Sequence, residues 1–209
     1  MKPIKIKKPV RSHTGIKWIT NSTNKKYLAP DFDNRCAYCD DLDKYSGGYN
    51  AYHVEHFAPK EKFEDLKFTY DNLLYSCPYC NISKSNKWVG KTSDECVVGD
   101  KGFLDPCTDE YYKHLGRDDE GRIIFLTPLG EYIYFELKLF LKRHFILYNI
   151  DRLRDKRLAL KAKIDEKVSK GEDVENLRQI NSLLCDVLCE YYELFLKDEE
   201  GAVKSLVNS

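Results

Sequence analysis

The sequence lacks several features that would assign it to a broad class of protein. No apolar run approaches the ~18–20 residues that a membrane-spanning helix requires, so we expect no membrane segment. The basic first residues are not followed by an apolar stretch, so we expect no secretory signal and a cytoplasmic protein. Because 34 Lys and Arg residues balance 34 Asp and Glu residues, a uniformly basic nucleic-acid-binding surface is excluded. The chain also lacks internal repeats and low-complexity tracts.

The composition is that of a folded protein whose charge is unevenly distributed. At 209 residues, 42% hydrophobic and 33% charged, the chain is long enough to bury a core as one domain, with or without an appendage. Residues 1–30 contain eight Lys and Arg residues and no acid, whereas residues 171–209 contain nine acids and three basic residues. The first segment is either a solvated tail or an arm that contacts phosphate, and the last is not expected to meet nucleic acid.

Turn signals and hydrophobic periodicity divide the chain into four predicted segments. They are a basic N-terminal arm with a short helix near 16–27 (1–30), a motif-dense core (31–92), a connection of loops with a strand or hairpin (93–128) and a helical C-terminal region (129–209). In the last segment, helical spacing on both sides of Lys170–Glu172 predicts two antiparallel helices.

The eight cysteines are expected to be metal ligands or buried side chains, because disulfides are rare in a reducing compartment. Four of them form two Cys-x-x-Cys pairs, Cys36–Cys39 and Cys77–Cys80, with 37 residues between the pairs. This spacing predicts a structural zinc that is closed to substrate, with four buried free thiols as the alternative. Cys185 and Cys189, one helical turn apart, are predicted to pack in the core.

A cluster of His and acidic residues lies between the two pairs, and three interpretations compete for it. His53-Val-Glu55 followed by Cys-x-x-Cys resembles the signature of zinc deaminases, but Pro78 lies inside the cysteine pair rather than before it. A zinc knuckle that only binds nucleic acid or protein explains the cysteines but leaves the neighbouring acid, His and Asn residues without a role. In a metal-dependent phosphodiesterase, an adjacent acid and His supply a metal ligand and a general base, and an amide oxygen completes the metal site.

The order of these residues resembles the HNH endonuclease family over about residues 34–90. The matching pattern is Cys36-x-x-Cys39, Glu55-His56-Phe-Ala-Pro, Asn72-Leu and Cys77-x-x-Cys80-Asn81-x-x-Lys84. The resemblance implies an α+β fold, in which a ββα-metal core stapled by a four-cysteine zinc precedes a mainly helical C-terminal region. It also implies a metal-dependent endonuclease that hydrolyses phosphodiester bonds in DNA and leaves 5′-phosphate and 3′-hydroxyl ends. The alternative is the non-catalytic zinc knuckle.

The resemblance gives each matching residue a role. It implies that His56 is the general base, that Glu55 and Asn81 bind a catalytic divalent ion, and that Asn72 braces the loop carrying His56. The family usually has Asp at the position of Glu55 and His at the position of Asn81. Glu55 and Asn81 both offer an oxygen donor, which suits Mg²⁺ or Mn²⁺ better than a nitrogen ligand would.

Local geometry adds two expectations for these residues. Neighbouring side chains of a strand point to opposite faces, so Glu55 and His56 can serve one site only where the strand ends or bulges. A helix over about residues 79–88 places Lys84 and Ser85 on the face of Asn81, so that Lys84 reaches a phosphate. We therefore predict Lys84 and Lys87 as DNA contacts.

The remaining histidines are less informative. His53 is either a group that orients the site or a plain strand residue. His13, His114 and His144 have no supporting neighbours in the sequence and receive no role.

A narrower similarity concerns the cellular context. The segments Val54–Lys60 and Gly102–Cys107, together with the helical tail, are similar to the HNH subunits of Septu-type and certain retron anti-phage systems. This similarity implies an ATPase partner, and we expect the acidic C-terminal helices to be its docking surface.

Overall fold

A computed structural model describes residues 1–197 and shows a mixed α+β fold, which confirms the predicted fold class. No helix of this range combines the length and the apolar character needed to cross a bilayer. The helices are α1 (Asn21–Asp31), α2 (Pro78–Lys84), α3 (Tyr111–His114), α4 (Pro128–Glu136), α5 (Lys142–Ser169) and α6 (Glu175–Leu196). The strands are β1 (Lys2–Pro3), β2 (His53–His56), β3 (Leu73–Ser76), β4 (Val97–Val98), β5 (Lys101–Gly102), β6 (Leu115–Arg117) and β7 (Ile123–Phe125).

The centre of the fold is the antiparallel pair β2–β3 followed by α2. His53 pairs with Ser76 and His56 with Leu73, and every residue of β3 is buried. β2 ends at His56. A strand end at this point is the condition under which the neighbouring side chains of Glu55 and His56 can serve one site.

Helix α2 is shorter than predicted. It begins with Pro78, whose missing N–H costs nothing at the first helical position, and Cys77 Sγ accepts a hydrogen bond from Cys80 N. It ends at Lys84 because Ser85 has a φ of 48°, outside the helical region. The prediction that the helix continues to Trp88, with Ser85 on the face of Asn81, is therefore wrong.

The N-terminal segment is folded onto the rest of the molecule. β1 pairs with β6, and Ile4 is fully buried. Lys5 forms a buried ion pair with Asp40, and Arg11 pairs with Asp105. These two cations are thus used internally and are not available to nucleic acid.

Helix α1 begins later than the predicted short helix. The Thr20 side chain accepts a hydrogen bond from Thr23 N and thereby caps the helix at Asn21 instead of Ile16. Leu28 and Ala29 on α1 join the main core, which positions the helix beside β2 and β3.

The predicted hairpin in the connecting segment is confirmed by the pair β6–β7. Up to residue 197, the C-terminal region contains three helices where two were predicted, because Thr127 caps the additional helix α4 and Pro128 starts it. α5 packs against α6, and α5 ends at Ser169 just before Gly171, whose φ is 71°.

Within residues 1–197, α5 is the element that packs most extensively on α6, and none of the residues of α6 is buried. For this reason the prediction that Cys185 and Cys189 pack in the core is wrong: Cys185 is half-buried and Cys189 is exposed.

Candidate active site

The four cysteines of the two Cys-x-x-Cys pairs form one buried cluster. The Sγ atoms of Cys36, Cys39, Cys77 and Cys80 lie within 4.8 Å of one another, and none of them forms a disulfide. The Sγ atoms of Cys39 and Cys77 are 3.8 Å apart. A tetrahedral zinc with Zn–S bonds of ~2.3 Å requires sulfur atoms about 3.8 Å apart, so the cluster is compatible with zinc.

A buried ion pair lies beside this cluster. His144 Nδ1 on α5 lies 2.8 Å from Asp41 Oδ2, and both side chains are inaccessible to solvent. Burial lowers the pKa of His144, but Asp41 and Cys39 outweigh it and raise that pKa to about 10. No local sequence pattern marks His144, because its partner lies 103 residues away along the chain.

Glu55 projects from β2 into the interior and meets Lys84. Lys84 Nζ lies 3.0 Å from Glu55 Oε1 and donates a hydrogen bond to the His56 carbonyl. Despite this proximity, the Glu55 Oε1 atom receives no hydrogen bond. Burial raises the pKa of Glu55 to about 7, against the opposing effect of the Lys84 ammonium.

The structure contradicts the predicted DNA contact at Lys84. Its side chain is 0% exposed, because the ammonium group compensates the buried carboxylate of Glu55 instead of facing solvent. Lys87 is exposed and pairs with Glu136 at 2.7 Å.

His56 ends β2 with its ring orientation fixed. The Lys67 carbonyl lies 2.9 Å from His56 Nε2, and because a carbonyl can only accept, Nε2 carries the proton. Burial lowers the pKa of His56, and the bond to Lys67 only partly opposes this effect. The imidazole is therefore neutral near pH 7 and has its lone pair on Nδ1.

Asn72 holds the loop that follows His56. Its Oδ1 accepts a hydrogen bond from Ala58 N at 2.8 Å, and its Nδ2 donates to Ala58 O at 2.9 Å. These two bonds fix the backbone two residues after the imidazole.

One polar cleft of about 620 Å³ brings Glu55, His56 and Asn81 together. Asn72 and Lys84 do not line it. The His53 side chain, which is exposed, also lines the cleft, and its pKa is lowered by partial desolvation and by Lys25. Glu55 and Asn81 both line this cleft, and the carboxylate and amide oxygens that their side chains carry are the donor types that a hard divalent cation prefers.

The cleft is also lined by parts of the chain that no sequence motif connects with the site. The lining includes Asn21, Ser22 and Lys25 at the start of α1. It also includes Lys60 and Glu61, which belong to the segment that follows β2. No motif marks the α1 residues, and only the packing of α1 beside β2 reveals them.

Comparison with known proteins identifies one domain. Residues 36–87 match the family model described as HNH endonuclease. The match includes both cysteine pairs, Glu55, His56, Asn72 and Asn81. No curated protein and no solved structure matches the chain. The HNH domain suggests nuclease activity.

Proposed function

We propose that the protein is a metal-dependent endonuclease that hydrolyses phosphodiester bonds in DNA. The observation that carries the proposal is the cleft in which a neutral imidazole with a free Nδ1 lies beside the oxygen donors of Glu55 and Asn81. The HNH match over residues 36–87 supports the same chemistry.

In the proposed mechanism, His56 Nδ1 takes a proton from the water that attacks phosphorus. The Lys67 carbonyl keeps the ring in place through Nε2 and stabilises the imidazolium that forms. Asn72 keeps the loop behind the ring from shifting, by its two bonds to Ala58. The position of His56 for proton transfer is thus fixed by the Lys67 carbonyl and by the Asn72 side chain.

Glu55 and Asn81 would hold Mg²⁺ or Mn²⁺. When bound, such an ion supplies positive charge that stabilises the phosphoryl oxygens and the leaving 3′-oxygen. Hydrolysis by this route leaves a 5′-phosphate and a 3′-hydroxyl. The four-cysteine cluster would hold zinc, which is closed by four sulfur ligands and has a structural task.

For DNA binding we propose Lys25, Lys60 and Lys87. Lys25 and Lys60 both line the cleft. Lys87 is exposed, and its surface ion pair with Glu136 is weak enough to be exchanged for a phosphate contact.

The test is cleavage of plasmid DNA with Mg²⁺ or Mn²⁺ by the full chain and by His56→Ala. Loss of the general base should slow cleavage by roughly 10²–10⁴-fold while the zinc content stays unchanged. His114→Ala is the matched control, because His114 lies outside the cleft. Binding without cleavage by the unmodified chain, with either metal, would contradict the nuclease and support a zinc-knuckle binding module.

We further propose that the nuclease acts in anti-phage defence with an ATPase partner. The support is the similarity of Val54–Lys60 and Gly102–Cys107 to HNH subunits of such systems. Cells that express the chain together with an ATPase encoded beside it should resist phage, and His56→Ala should abolish the resistance. Equal plaque counts with the unmodified chain and with His56→Ala would contradict this role.

A further inference from the structure

The hairpin of α5 and α6 leaves an apolar stripe on α6 partly exposed to solvent. We call Ile180, Leu183, Val187 and Leu194 the α6 seam. Leu183 is 65% exposed and Leu194 is 50% exposed, although both are large apolar side chains. Single exposed apolar residues are ordinary, but a continuous stripe of them marks an interaction surface.

The spacing of the seam is that of a helix that packs on other helices. Its residues follow one another at intervals of three, four and seven, the repeat of a coiled-coil contact. At 3.6 residues per turn they fall within roughly 60° of the helix circumference. The adjacent face of α6, with Leu188, Tyr191 and Phe195, already packs against the cluster of Ile146, Leu147 and Ile150. The seam is therefore a second apolar face that stays exposed for the most part, although Leu194 at one end also lines a groove with Phe140 and Phe145.

The two helices of the hairpin carry opposite charge. α5 has nine Lys and Arg residues against four acids, whereas α6 has four acids against one Arg. Lys156 and Lys163 on α5, and Asp186 and Glu190 on α6, are exposed and form no ion pair with another described residue. α5 thus presents exposed positive charges and α6 exposed negative charges that form no ion pair with another described residue. A helix of the opposite charge would complement each of them.

We propose that the hairpin docks on the hairpin of a second copy of this chain. In the resulting four-helix bundle, each seam is buried between the helices, and the basic α5 of one copy lies against the acidic α6 of the other. A second copy fits because the hairpin carries both halves of the complementary surface, the basic helix and the acidic one. This inference does not depend on the proposed nuclease activity.

The first test measures the mass of the full chain in solution by light scattering during size-exclusion chromatography. We expect a dimer for the unmodified chain and a monomer for L183E/L194E, with unchanged helix content by circular dichroism because both side chains are exposed. I6E/I19E is the matched control: Ile6 and Ile19 are also exposed, at 55% and 82%, but lie far from the hairpin in sequence. A monomeric unmodified chain, or a dimer that persists in L183E/L194E, would overturn the proposal.

The second test distinguishes a second copy from any other occupant of the seam. K156E/K163E replaces the exposed lysines of α5 with acids, and D186K/E190K replaces the exposed acids of α6 with lysines, so each variant should dimerise more weakly than the unmodified chain. Mixed in equal amounts, the two variants should form a heterodimer, because every contact again joins opposite charges. If the mixture associates no better than either variant alone, α5 does not lie against α6 of a second copy.

Discussion

Glu55 is the residue at which protons and a divalent ion are expected to compete. Because burial raises its pKa to about 7, the carboxyl group is protonated in much of the protein at neutral pH, and a metal ion requires the ionised form. Affinity for Mn²⁺ should therefore fall about tenfold between pH 8 and pH 6, as titration calorimetry would measure.

Two checks make that measurement specific. The zinc content must be equal at both pH values, so that the fall does not reflect loss of the cysteine-bound ion. Glu55→Gln should bind Mn²⁺ weakly at both pH values without the tenfold change. An affinity of the unmodified chain that is the same at pH 6 and pH 8 would remove Glu55 from the metal site.

The ion pair of Lys84 with Glu55 makes a second prediction at the residue scale. Lys84→Met removes the ammonium from a buried carboxylate, so the free energy of unfolding at pH 8 should fall by roughly 3–5 kcal/mol. The raised pKa of Glu55 means that its neutral form increases below about pH 7, and the loss should be smaller at pH 6. Urea denaturation at both pH values provides the measurement.

The double variant E55Q/K84M serves as the control for that experiment. It has no buried charge at this position, so it should recover most of the lost stability at pH 8. If K84M is as stable as the unmodified chain at pH 8, the ammonium is not what compensates Glu55.

At the scale of the elements, helix α1 contributes part of the lining of the cleft. Lys25 on α1 lines the cleft, so Lys25→Ala should weaken DNA binding and reduce the salt dependence of the affinity by about one phosphate contact. Fluorescence anisotropy with labelled DNA and the His56→Ala background measures binding without cleavage. Lys26→Ala is the matched control, because Lys26 is exposed and does not line the cleft. Equal losses in both variants would show that α1 contributes charge but no specific contact.

What the sequence could predict at this scale is local. Short stretches of the sequence encode the cysteine spacing, the end of β2 at His56 and the polar residues around His56. The structure contains the four-cysteine cluster and ends β2 at His56, as predicted. The burial of Lys84 and the contact of His144 with Asp41 depend on packing between distant segments, which no local pattern records. The position of Lys25 depends in the same way on the packing of α1 beside β2.

At the scale of the whole molecule, the first cysteine pair is the point to which distant parts of the chain attach. The backbone carbonyls of residues 36–39 accept hydrogen bonds from Lys5, Tyr111 and Arg117, at 2.7 to 2.8 Å. Two residues further on, Asp41 holds His144 of α5. The N-terminal segment, the β6–β7 hairpin and the C-terminal helices are thus all anchored to one metal-binding loop.

This arrangement predicts that removing zinc destabilises the entire molecule rather than the nuclease core alone. A thiol-reactive reagent with a chromophoric zinc indicator should release one equivalent of zinc from Cys36, Cys39, Cys77 and Cys80. Without the metal, Tm should fall by at least about 10 °C, because each kcal/mol is worth roughly 2–4 °C in a chain of this size. Circular dichroism and the intrinsic fluorescence of Trp18 and Trp88 should report the same transition, since one loop anchors all parts. Cys189→Ser, at an exposed thiol outside the cluster, should leave both zinc content and Tm unchanged. A chain that loses its zinc but keeps its Tm would show that protein contacts alone hold the loop, and the metal would then have no structural task.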